Sequence, residues 1–172
     1  MEAKPRPAEE PAPAAGDPFE RLFLTEYGRV VGVAQRVLDD PAEAEDVAQE
    51  VFWDLHRRYP QGMPQAARWL HAAAVHTALN RIRSRKRRER RERLVDERPS
   101  EDPQDLHLQA EDRRRVREAL ARLPERKAAV LALRYSGLSY AEVAAALGVG
   151  TGQVGTLLRR AEASLLEQLG GM

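Results

Sequence analysis

Three groups of side chains in this sequence have the residue types and spacing to do chemistry, and in each the chemistry is recognition rather than bond making. Near the C-terminus, the stretch "SYAEVAAALGVGTGQVGTLLRRA" (139–161) carries Thr151, Gln153, Thr156, Arg159 and Arg160 on the side of a helix that its apolar positions leave outward. Gln153 can pair with an adenine edge, Thr156 can touch a phosphate or a base, and Arg159 and Arg160 can bind guanine or phosphate. A second group is acidic. From Asp39 to Asp54 there are seven acids and no Lys or Arg, and helical spacing puts Glu43, Asp46, Glu50 and Asp54 together on one side. Such a face suits a basic partner and steers it electrostatically. The third group is basic: Arg81 to Arg93 holds nine Arg or Lys against two glutamates. Cations in that density suit a phosphate backbone, with affinity that falls as salt rises. The formal net charge of +1 averages over these opposite blocks and hides both.

Other chemistry is poorly supplied. With no cysteine the chain has no disulfide, thiolate metal ligand or cysteine nucleophile. Of the four histidines, His71 and His76 are five apart and so miss the i, i+4 face that a helical metal pair needs, while His56 and His107 lie in other segments. No glycine-rich phosphate loop follows a strand, and no nucleophile has a partner base. The expectation is therefore no catalytic residue, no metal and no cofactor. No apolar run approaches the roughly 20 residues that cross a bilayer, and the first residues lack the apolar stretch of a secretory signal. A cytoplasmic location with no direct membrane insertion follows as the default.

The elements that must position these groups read as helices throughout, since no strand-like alternation competes. Residues 1–17, "MEAKPRPAEEPAPAAGD", are rich in Pro, Ala and Glu and read as a disordered tail. Asp17 and Pro18 open a first helix whose apolar stripe is Phe19, Leu22, Phe23, Val30, Val31, Ala34 and Leu38. "DDP" at 39–41 repeats that start signal before a second helix, which buries Ala44, Val47, Ala48, Val51 and Leu55 and turns its acids outward. "YPQGMP" (59–64) is a loop. A third helix begins near Gln65, and from Arg83 onward it is expected to project into solvent. "PSEDPQD" (99–105) marks a flexible linker, placed at 96–110. Four further helices follow, with "SYAE" (139–142) a capping box, Gly148 a stop and Thr151 a cap for the last. Ala144, Gly148 and Val154 then supply the close contact, the turn and the anchor of a helix-turn-helix. The predicted fold is all-α: two small helical modules, 18–95 and 111–172, the second containing the helix-turn-helix. Taken alone, the acidic run also fits a merely solvated helix face, the arginine block a frayed helix end, and the helix-turn-helix a packing hairpin.

Three blocks in order, "AEAEDVAQEVFWDL" (42–55), "ARWLHAAAVHTALNRIR" (67–83) and "LARLPERKAAVLALRYSGLSYAEVAAALGV" (120–149), resemble the extracytoplasmic-function sigma factors of bacterial RNA polymerase. The resemblance covers nearly all of Phe19 to Leu169. It implies that Glu43, Glu45, Asp46, Gln49 and Glu50 dock on core RNA polymerase, and that the 59–64 loop and the following helix capture and melt the minus-ten element of promoter DNA. Asn80, Arg81, Arg83, Arg85 and Lys86 would hold its backbone, with Trp69 in a packing role. The last module would read the minus-thirty-five element, with Arg134, Thr156 and Arg160 at contact positions. An anti-sigma factor as antagonist is implied by the resemblance alone.

The chain departs from the family pattern in places. Val75 and His76 stand where many members carry Arg-Asn. Gly155, Thr156 and Leu157 follow Gly152, Gln153 and Val154 where basic residues are usual, and Glu162 replaces a common arginine. Two readings of Gly152 and Gly155 are open, close approach of backbone to DNA or drift. Two functions are open as well: a promoter-specificity subunit of RNA polymerase, or a sigma-like protein that binds polymerase or an antagonist with weakened promoter recognition.

Overall fold

The computed structural model describes residues 17–60, 62–93 and 106–171, with side chains left aside at 92–93 and 106–110. The tail at 1–16, residues 94–95 of the expected first module and 96–105 of the expected linker lie outside that description. Among the described residues the regular elements are seven helices: α1 (Pro18–Leu38), α2 (Pro41–Arg58), α3 (Ala66–Arg93), α4 (Leu106–Arg122), α5 (Glu125–Tyr135), α6 (Tyr140–Leu147) and α7 (Thr151–Gly170).

Local chemistry sets the starts and stops. The Asp17 carboxylate accepts from the Phe19 N–H at 3.0 Å and Pro18 opens α1. Asp39 ends α1 in the left-handed region at φ 57°, with its N–H donating to the Gln35 carbonyl, and Asp40 at once caps α2 by accepting from the Glu43 N–H at 3.1 Å. Two residues of connection force the helices antiparallel. The rings show the register: Phe19 lies 4.8 Å from His56, while Phe23 and Tyr27 lie 5.0 and 5.9 Å from Phe52. α3 closes this first module by burying Leu70, Ala74, Val75, Ala78 and Leu79 against both. The many Ala and Val at these contacts let the helix axes approach closely.

The second module is built around α5. Residues Ala128 to Leu133 are buried consecutively, so this helix is covered all round. A helix buried on every side needs more than one partner layer. Its partners are α6 and α7 on one side and α3 and α1 of the first module on the other. As a result the buried side chains of both modules form one connected cluster. The two-module reading describes the architecture, and the modules stand packed against each other.

Two expectations change here. α4 begins at Leu106, inside the stretch expected to be linker to residue 110. The far end of α3 does not simply project into solvent: Arg83 and Lys86 are part-buried against the second module.

Candidate partner and nucleic-acid interfaces

α2 carries the acidic face. Asp40 and Pro41 start it, the buried Ala44, Val47, Ala48, Val51, Phe52 and Leu55 fix its inner side, and Glu45, Asp46 and Gln49 come out exposed. Those three make no ion pair among the described residues. Glu43 and Glu50 differ, because α3 runs beside them. Arg81 donates to Glu50 at 2.7 Å and to the Glu43 carbonyl at 3.4 Å, and Arg85 pairs with the Glu43 carboxylate. Two expected polymerase contacts and two expected DNA contacts thus neutralise each other across one groove.

The other expected DNA contacts on α3 turn to the second module. Arg83 donates to the carbonyls of Ala121 and Leu123 at 3.3 and 3.1 Å, covering the C-terminal end of α4 where helix carbonyls lack partners. Its guanidinium also lies 3.9 Å from Glu125. Lys86 reaches Glu118 at 3.5 Å. Asn80 bonds the Nε2 of His76 at 2.9 Å, and the His76 Nδ1 faces Glu125 at 2.5 Å. With the Asn80 amide donating to Nε2, it is the Nδ1 side of the ring that is turned to Glu125. Arg88 and Arg90, further along the same helix, stay exposed and make no ion pair among the described residues, and they were not singled out from the sequence.

In the second module the helix-turn-helix is complete. Ser139 and Glu142 form the capping box, the hydroxyl accepting from the Glu142 N–H at 3.3 Å and the carboxylate from the Ser139 N–H at 2.8 Å. Gly148 takes the left-handed turn at φ 64°, and Ala144 and Val154 are buried at the helix contact. The cap of α7 is a correction: Gly150, not Thr151, is its N-cap, and Gln153 turns its side chain back to accept from the Gly150 N–H at 3.1 Å. A threonine inside the first turn cannot cap a helix whose preceding residue already holds that place.

Thr151, Thr156, Arg159 and Arg160 are exposed on α7. Gly155 differs from its neighbours Gly152 and Thr156, which are exposed. It is half-buried, and a β-carbon there would meet the Tyr140 ring of α6 at 3.7 Å. Arg134 donates to the Leu138 carbonyl at 3.3 Å and lies over the Tyr140 ring at 5.6 Å, so it faces the turn before α6. Glu162 accepts from the Tyr135 hydroxyl at 2.8 Å, which raises the Tyr135 pKa and gives this acid a packing partner.

A polar chain links the modules. His71 is buried and bonds Glu26 at 2.9 Å; burial lowers the His71 pKa, outweighing Glu26, so the ring is neutral. Glu26 is buried beside Arg29, which also pairs with Glu142 of the capping box. That guanidinium, followed by the Ser139 N–H and hydroxyl, pulls the Glu142 pKa down to about 2. Two clefts open on the surface. One of about 750 Å³ runs between α3 and the second module, lined by Trp69, Ala73, His76, Glu125 and Leu147 among others. Another of about 580 Å³ opens at the 59–65 loop, walled by Phe19, His56, Tyr59 and Met63. Trp69 packs edge-on to Tyr59 at 6.5 Å and is half-buried, as a packing residue would be.

An all-helical protein with an acidic helix face, an arginine-rich helix and a helix-turn-helix belongs to the class that joins a protein partner to DNA. Residues 22–88 match the family model "Sigma-70 region 2", and residues 113–165 match "Sigma-70, region 4". The ECF RNA polymerase sigma factor SigM of Mycobacterium tuberculosis is 34% identical over 92% of this chain and 82% of its own length. The chain belongs to the ECF sigma factors of RNA polymerase. Two solved structures share the fold at 20% identity. The sigma factor RpoE in complex with the anti-sigma factor NepR from Bartonella quintana matches at a TM-score of 0.54 over 88% of this chain and 96% of that one. CnrH in complex with the cytosolic domain of CnrY matches at 0.56 over 92% of each. This protein is a promoter-specificity subunit that binds core RNA polymerase and promoter DNA in transcription initiation. No described helix is long and apolar enough to cross a membrane.

Proposed function

We propose that Glu45, Asp46 and Gln49 form the primary polymerase contact, with Glu43 and Glu50 joining once Arg81 and Arg85 release them. The observation that carries this assignment is the split within one helix face: three polar residues stand unpaired while their two acidic neighbours are held by α3. The 59–65 loop and its cleft take an unstacked base of the minus-ten element, with its aromatic wall offering stacking. Asn80, Arg81, Arg83, Arg85 and Lys86 hold the backbone after giving up their present partners. α7 enters the major groove of the minus-thirty-five element, led by Thr151, Thr156, Arg159 and Arg160, with Gln153 and Arg134 available after reorientation. The protein acts in the cytoplasm beside the polymerase and catalyses no reaction itself. An anti-sigma factor restrains it, a reading favoured by the two structural relatives, both solved with a bound protein.

Co-elution of the purified chain with bacterial core polymerase tests the docking face. Stoichiometric co-elution that is lost in the Glu45→Lys, Asp46→Lys double variant is expected; an unchanged profile would remove α2 from the interface.

A second reading has its own support. Arg134 is turned to Leu138, Gln153 is spent on a cap, and Glu162 puts an acid on α7, so the reading surface is thin. On that reading the chain binds polymerase or an antagonist and recognises the minus-thirty-five element weakly. Changing Arg159 and Arg160 to Ala separates the two: promoter-specific transcription falls with polymerase binding intact on the first, and nothing changes on the second.

A further inference from the structure

Trp53 is the largest of the exposed apolar side chains among the described residues; it is 65% exposed and follows Asp46, Gln49 and Glu50 on the outward side of α2. A large aromatic left open on a helix that buries Phe52 and Leu55 on its other side is not part of the core. It makes no hydrogen bond among the described residues, and its ring contact is with His56, centroids 6.4 Å apart. Helical spacing sets Trp53 three, four and seven residues after Glu50, Gln49 and Asp46. Side chains on a helix lean toward its N-terminus, so the indole lies back over the acidic turn. On the following turn Arg57 and Arg58 are both drawn to Asp54, at 3.2 and 3.5 Å, and this ties up the cations next to the ring.

We infer that Trp53 is the aromatic anchor of the polymerase-docking face and stacks on an arginine or lysine side chain of a basic surface of core RNA polymerase. The inference rests on the docking assignment of α2 given above. Carboxylates around an open indole favour a cation twice, by charge and by the ring face. The acids alone give a solvated and salt-screened contact. An indole that loses its water on docking adds a contact that salt does not screen, and tryptophan is enriched among the few residues that dominate protein interfaces.

The test measures affinity of the full chain for bacterial core polymerase by titration, at low and raised salt, for Trp53→Ala, Trp53→Phe and Trp53→Leu. Glu45→Lys with Asp46→Lys runs alongside. Because the ring is open, Trp53→Ala should leave the thermal midpoint nearly unchanged, and it should weaken binding by about thirtyfold at either salt concentration. Trp53→Phe should recover most of that loss and Trp53→Leu little. Trp53→Ala binding within twofold of the parent would overturn the inference, and Leu rescuing as well as Phe would overturn the stacked cation. Should Trp53→Ala bind normally while the charge reversal abolishes binding, only the anchor fails. If neither variant matters, the docking assignment falls with it.

Discussion

A histidine and a glutamate buried together between helices hold a proton question at the centre of this fold. His71 is neutral because burial opposes its charged form more strongly than Glu26 supports it. Its folded pKa lies below the ordinary 6.5, so the unfolded chain binds the proton more readily. Stability from this group is then complete above about pH 6.5 and is lost as pH falls through that value toward the folded pKa. Denaturation by urea at pH 7.5 and at 5.5 should show the loss, and His71→Gln should flatten it. Glu26→Ala strips the imidazole N–H of its acceptor and should cost about 1–3 kcal/mol. Neither residue announces itself in the sequence. Glu26 falls among apolar positions of α1 with no local sign that a histidine 45 residues later will meet it. Trp53 was in plain view, quoted within a block of family likeness, but exposure could not be read before the opposite face of α2 was known.

Helix ends were the most legible elements. Asp17, Asp40, Ser139 and Gly148 each do the work their types suggest, because a cap depends on neighbours within four residues. Thr151 failed as a cap since glycine and threonine compete for one position, and the glutamine three residues on bonds back to the glycine N–H. Gly148 should not tolerate alanine: its left-handed backbone carries about 1–2 kcal/mol against any β-carbon. Gly155→Ala is predicted to go the other way. It has ordinary van der Waals room against Tyr140, and removing glycine from a helix interior gains about 0.5–1 kcal/mol. Thermal melts of the two variants, one lower and one higher than the parent, check both. The Gly155 melt also bears on why glycine stands there, since a site with room for a β-carbon owes its glycine to something other than helix packing.

At the scale of the molecule, the sequence announced two modules and left their mutual packing unread. The run Ala128 to Leu133 is apolar on all sides, which is the trace of a helix covered from two directions, though such a run reads equally well as the heart of one small module. The polar contacts across the seam have no local signal at all: Arg83 meets carbonyls 38 and 40 residues away, and Arg117 meets Asp39 at 2.6 Å. An exposed ion pair such as Arg117–Asp39 is worth under about 1 kcal/mol and a hydrogen bond such as those of Arg83 about 0.5–1.5 kcal/mol net, so the shared apolar cluster must carry most of the association. Raised salt alone should therefore not part the modules. A pair of fluorophores, one on each module, should report nearly constant transfer efficiency as salt increases, and a fall in Ala129→Glu, which puts a charge at the seam.

The groove between α2 and α3 has a further consequence. Arg81 holds Glu50 and Arg85 holds Glu43, so a phosphate that draws either guanidinium outward competes with a carboxylate of α2. Each arginine that moves to DNA returns a negative charge to the helix expected to meet polymerase. Thermodynamic reciprocity then requires that polymerase, by drawing those glutamates away, ready the same arginines for DNA. Free protein would hold both ligands below its full strength, and each would raise the affinity for the other. Replacing Arg81 and Arg85 by alanine should tighten core binding modestly and abolish the mutual enhancement, measured as the ratio of core affinities with and without promoter DNA. A chain of this size would thus make its two partners wait for each other.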